Sequence, residues 1–69
     1  MALTSSIARV ISQGTDQLVT ENHIDSSGQT HVLTYVVAND ANTAALLALH
    51  AADLAESLAA QELEDLLNG

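Results

Sequence analysis

The segment Asp25-Ser26-Ser27-Gly28-Gln29 constrains this chain more than any other. It separates two runs rich in β-branched residues, Gln17–Ile24 (QLVTENHI) and Thr30–Ala38 (THVLTYVVA). A type I turn with Gly28 in the left-handed position joins such runs through a three-residue loop with a G1 bulge. Glycine takes that conformation without a Cβ penalty, and the Asp25 side chain can bond to the backbone that follows it. If Asp25 faces Gln29, the register of the whole hairpin follows. His23 faces His31, Glu21 faces Leu33 and Val19 faces Tyr35. One face then carries Val19, Glu21, His23, His31, Leu33, Tyr35 and Val37. The other carries Leu18, Thr20, Asn22, Ile24, Val32, Thr34 and Val36. A slip of one residue would exchange these faces. Neither face is wholly polar, so both are expected to meet something.

After the hairpin the periodicity changes. Residues 41–68 contain neither proline nor glycine, and they include nine alanines and eight leucines. Both residue types favour helix, and Gly69 closes the run. Asp40 is the expected N-cap, just ahead of the helix. Leu47, Ala51, Leu54, Ala55 and Leu58 form one apolar stripe at helical spacing, extended towards the start by Ala44 and Ala48. Leu46, Leu49, Leu63, Leu66 and Leu67 lie off it. Upstream, residues 1–6 read as a flexible tail. Residues 7–12, with Ile7, Val10 and Ile11, form a possible third strand before a turn at residues 13–16. The expected architecture is therefore one α+β domain over residues 1–69. It consists of an antiparallel hairpin at 17–38, with or without a strand at 7–12, and one long C-terminal helix at 41–68.

Composition narrows what such a domain can do. The chain has 69 residues, and a domain of that size buries only about 60% of the surface its unfolded chain exposes. It contains no cysteine, which excludes disulfides and thiolate metal sites. Tyr35 is its only aromatic residue. The core must come from aliphatic side chains and is thin, so oligomerisation or docking is the expected supplement. A helix of ~27 residues is about 40 Å long, whereas a strand of ~8 residues spans about 27 Å. The hairpin cannot cover the helix, and its last turns must project or find a partner. Val19, Leu33 and Tyr35 on the sheet, with Leu47, Ala51, Leu54 and Leu58 on the helix, are the candidate interface residues.

The formal net charge is −8, with Arg9 the only basic residue. Nucleic-acid binding depends on Lys and Arg neutralising phosphates, so direct binding is not expected. An anionic membrane surface is disfavoured for the same reason. No uninterrupted apolar run approaches the ~18 residues of a membrane span, and the first residues lack the basic region of a signal peptide. The expected location is cytoplasmic, or an assembly built there. Arg9 is expected to pair with one of the acids. Glu62, Glu64 and Asp65 bunch at the helix C-terminus, where acids oppose the macrodipole.

His23 and His31, with Glu21 on the same face, are the one constellation with metal-ligand chemistry, since two imidazoles and a carboxylate can hold zinc. No ligand motif demands a metal there, and neither metal nor cofactor is expected. Serine, histidine and aspartate all occur, but no serine sits in a nucleophile elbow. No catalytic residue is assigned and no enzymatic activity is expected.

The hairpin residues Val19 to Tyr35 (VTENHIDSSGQTHVLTY) resemble a hairpin found in small structural proteins of tailed bacteriophages. There a strand with His-x-Asp and a turn glycine leads to a strand ending in Tyr, and an Ala-rich helix often follows. The resemblance implies a virion component of tail, neck, baseplate or capsid, packed in several copies or against other virion proteins. It carries over no catalytic residue. The alternative from charge alone is a small acidic inhibitor or regulator of a basic protein.

Overall fold

A computed structural model describes residues 2–69. Three strands form an antiparallel sheet in the order β1-β2-β3: β1 (Thr4–Gln13), β2 (Asp16–Ile24) and β3 (Thr30–Ala38). One helix, α1 (Thr43–Asn68), completes the α+β fold.

The β2–β3 hairpin adopts the register expected from its turn. Val19 pairs with Tyr35, Glu21 with Leu33 and His23 with His31. Gly28 sits at φ +88°. The backbone of Gly28 donates to the Asp25 carbonyl and that of Asp25 to the Gln29 carbonyl, both at 3.0 Å.

The N-terminal strand is longer than the sequence suggests. Thr4, Ser5 and Ser6 are not a tail: they pair with Ile24, His23 and Asn22 at the end of β2. Their small side chains gave no apolar signal, but pairing satisfies their backbone groups and brings the Ser5 hydroxyl to His23. Gly14, at φ +65°, occupies the first position of a two-residue turn between Gln13 and Asp16. The register shifts between Ile7 and Arg9, so Ala8 is the extra residue of a bulge. The shift puts Ser5, Ile7 and Val10 on the same face as Val19, Glu21 and His23, and turns Arg9 and Ile11 to the other face. Arg9 forms no ion pair: those among the described residues all involve histidines.

The helix begins at Thr43, not at residue 41, and its cap is Asn42, not Asp40. Asn42 is extended (φ −79°, ψ 91°), and its Oδ1 accepts from the Ala45 backbone at 3.1 Å. Asp40 lies too early, because Ala41 closes a turn on the Ala38 carbonyl at 3.0 Å. Asn39 ties this corner to the first hairpin, donating from its side chain to the Gly14 carbonyl and from its backbone to the Thr15 carbonyl.

The helix folds back over one face of the sheet. Leu47, Ala51, Leu54 and Leu58 are half-buried, and Val19 beneath them is fully buried. These residues, with half-buried Tyr35 and partly exposed Leu33, form the seam between helix and sheet within one chain.

The helix overshoots the sheet, as the lengths require. The molecule measures 49 × 17 × 15 Å with a radius of gyration of 14.2 Å, against about 11 Å for a compact domain of this length. Every residue from Ala59 to Gly69 is exposed. By length and composition α1 is also apolar enough to cross a membrane, although no run of uninterrupted apolar residues marked it.

Two substitutions separate the cap assignments. Asn42→Ala lowers stability by about 1 kcal/mol, whereas Asp40→Ala leaves it unchanged within a few tenths. Urea unfolding followed by circular dichroism checks both.

Candidate functional site: a buried carboxylate and three histidines

Beneath the helix the centre of the molecule is polar. Apart from Val19, the buried residues among those described are Glu21, His23 and Asp25. Strand alternation sends Val19, Glu21 and His23 to the same face of the central strand, where α1 covers them.

The Glu21 carboxylate is fully buried and receives donors from three elements. Tyr35 of β3 donates its hydroxyl to Oε2 at 2.5 Å. His23 of β2 donates Nε2–H to Oε1 at 2.9 Å. His50 of α1 reaches both oxygens with Nδ1, at 2.9 and 3.1 Å. A carboxylate only accepts, so His23 carries its proton on Nε2. In the neutral ring Nδ1 then accepts from the Ser5 hydroxyl at 2.6 Å. The Tyr35 and His50 rings pack edge to face with centroids 4.9 Å apart. No buried side-chain nitrogen or oxygen among the described residues lacks a partner.

Burial pushes the Glu21 carboxyl up, but the hydrogen bonds from Tyr35, His50 and His23, with the charge on His50, outweigh it and hold the group below its usual value. Burial, and then the bond and charge of Glu21, push the Tyr35 phenol up to about 12. A second carboxylate, Asp25, serves the turn. Its Oδ1 accepts from the Ser27 backbone at 2.9 Å, the Ser27 hydroxyl and the Gln29 backbone at 3.0 Å. His31 donates Nε2–H to its Oδ2 at 2.9 Å. The Ser27 and His31 side-chain bonds lead in holding Asp25 well below the carboxylate range.

His23, His31 and Glu21 do lie on one face, with the two histidines in register, but they do not converge on a point. Each imidazole is taken by a different carboxylate, His23 by Glu21 and His31 by Asp25. Among the described residues no group of three or more histidine, cysteine or acidic side chains is arranged to hold a metal ion. Sequence reasoning missed Ser5 and His50. Ser5 lies in a segment with no apolar pattern. His50 had a signal: it is a polar residue inside the stripe of Leu47, Ala51 and Leu54, on the side of the helix that meets the sheet.

Ser5, His23 and Glu21 form a hydroxyl–imidazole–carboxylate chain, the arrangement that activates a serine nucleophile. Its surroundings differ from those of a catalytic serine. An open groove of about 360 Å³ between β3 and α1 is lined by His23, His31, His50, Leu33, Leu54 and Asp53 among others, and Ser5 is not part of it. The Glu21 oxygens are also shared among three donors. The chain of bonds joins β1 to the core.

Removing Glu21 leaves three donors facing a void. Glu21→Ala costs about 3–5 kcal/mol, the scale of a broken buried pair, and Tyr35→Phe about 1–3 kcal/mol. Both are read by denaturant unfolding. The pH dependence has two limbs. The folded-state lowering of Glu21 and Asp25 gives stability that is present above the usual carboxylate range and lost as pH falls through it. The raised Tyr35 gives stability that is complete below its ordinary value of 10.0 and is lost as pH rises towards about 12. Melting temperature against pH should fall on both sides, and Tyr35→Phe should abolish the alkaline limb. Comparison with protein-family models, with curated proteins and with solved structures finds no match for this chain.

Proposed function

We propose that the protein is a structural assembly subunit, one that packs in several copies through the open face of its sheet. The observation that carries this reading is the face turned away from α1. It presents Ile24 at 41%, Val32 at 64% and Val36 at 55% exposure, beside half-buried Ile11 and Leu18. Three strands of this length span roughly 400 Å², and these aliphatic side chains share that area with Thr4, Ser6, Thr20, Asn22 and Thr34. The only charged residues paired into that face are Arg9 and Asp16, which sum to zero. Two such faces can therefore stack as packed sheets about 10 Å apart without repulsion.

The finer form of the reading is a bacteriophage virion component, and its support is the hairpin resemblance. Adjacent genes for portal, tail or capsid proteins would strengthen that form. No catalytic, metal-binding or nucleic-acid role is part of the proposal. Nor is a membrane span. Insertion of α1 would strip His50 from Glu21 and carry Asp53 and Glu56 into hydrocarbon, each at a cost of kilocalories.

Light scattering behind size exclusion tests the assembly reading. The expected mass is a multiple of 7.2 kDa. The double substitution Val32→Asp with Val36→Asp should return the chain to the monomer while keeping its helical circular dichroism. A wild-type chain that stays monomeric up to millimolar concentration sinks the reading and favours an acidic regulator that is free until it meets its target.

A further inference from the structure

The helix has a second apolar side. Leu47, Ala51, Leu54 and Leu58 lie against the sheet. On the opposite side Ala45, Leu49, Ala52, Glu56, Ala59, Leu63 and Leu66 follow one another at alternating spacings of four and three. This is the a/d repeat of a helix–helix seam, and it runs for about 32 Å. All seven positions are exposed, Leu49 at 55%, Leu63 at 59% and Leu66 at 79%. Single exposed leucines are ordinary on a protein surface. Here three leucines and three alanines share one exposed face along most of the helix.

Charge decides what can cover it. α1 contains Asp53, Glu56, Glu62, Glu64 and Asp65 and no lysine or arginine. With Leu49 as an a position, Glu56 also falls at a, inside the seam, while Asp53 and Glu62 flank it at e and g. A second copy is a poor occupant. Parallel pairing sets Glu56 against Glu56, and antiparallel pairing about the middle of the seam leaves the two Glu56 carboxylates in neighbouring layers, with no lysine or arginine on either helix. The neutral sheet face has no such conflict. Ala45, Ala52 and Ala59 fill three of the four d positions, so the partner can approach closely and place large side chains opposite them.

We propose that this outer seam of α1 docks a basic amphipathic helix of another protein. That helix carries Leu or Ile along its seam, Lys or Arg on its flanks, and a cation opposite Glu56. The inference stands independently of self-assembly through the sheet, because it uses a different face.

The test uses the full chain and three synthetic peptides of about four heptads. One has leucine at a and d with lysine at e and g. A second has glutamate at e and g. The third has the composition of the first in scrambled order. Fluorescence anisotropy should show binding of the lysine peptide alone, weakening at least about tenfold as salt rises. Leu63→Asp with Leu66→Asp should abolish that binding while helical circular dichroism is retained. These substitutions add negative charge, so attraction to a polycation without a seam would strengthen instead. Val32→Asp with Val36→Asp should leave peptide binding intact. The proposal is overturned if the lysine peptide does not bind, if the scrambled peptide binds equally, or if the Leu63/Leu66 variant binds as well as wild type. It is also overturned if that variant lowers the mass of the protein alone, since a second copy would then occupy the seam.

Discussion

The fold is organised around a buried negative charge. In most domains of this size the centre is aliphatic, but here Glu21 occupies it, and each neighbouring element sends it or its partner a donor. β3 supplies Tyr35, β2 supplies His23, α1 supplies His50, and β1 supplies Ser5 one step further out. A buried ionic network is weak evidence for net stability, because desolvation consumes much of the Coulombic gain. Its geometric consequence is stronger. Sliding α1 by one turn would bring Leu46 or Leu54 to the carboxylate in place of His50, and a shift of three residues would bring Leu47 or Asp53. Each alternative leaves a buried charge unpaired or opposed. The apolar stripe alone, built largely from alanine and leucine, would tolerate several registers.

This dependence explains how the parts of the molecule were legible in the sequence. The β2–β3 register was readable because one turn specifies it: Gly28 needs positive φ, and Asp25 closes the loop with its own side chain. From there period-two alternation placed Glu21, His23 and Tyr35 together without further information. The helix was readable from its alanine and leucine content. What failed was whatever depends on contacts distant in sequence. Thr4–Ser6 pair as a strand because β2 offers an edge, not because their own residues favour one. His50 looked isolated on another element, yet the helix stripe it interrupts faces the carboxylate. The cap assignment failed on a smaller scale. Asp40 and Asn42 are both capping residues, and only the turn closed by Ala41 on Ala38 selects the second.

The same economy leaves the outside of the molecule unfinished. One helix covers one face of a three-stranded sheet, and it is longer than the sheet it covers. The other sheet face keeps valines and isoleucine in solvent, and the outer side of α1 keeps a run of alanine and leucine there. The edges of β1 and β3 are also unpaired within the chain. With a single buried aliphatic residue among those described, the fold has little stability in reserve. Burying further surface against other chains adds to folding stability by mass action.

The two open surfaces differ in charge, and that difference sorts their partners. Like charges across an interface cost more than the screened attraction of exposed pairs returns. The sheet face carries one cation and one anion and can meet a copy of itself. The helix carries only acids, and its seam includes one of them, so self-pairing is penalised where the hydrophobic pattern would otherwise invite it. A polar residue at one seam position is a known means of selecting partner and register in paired helices. Glu56 has that position here. In the proposed assembly it would keep neighbouring helices from pairing with one another and favour a chain that brings the missing positive charge.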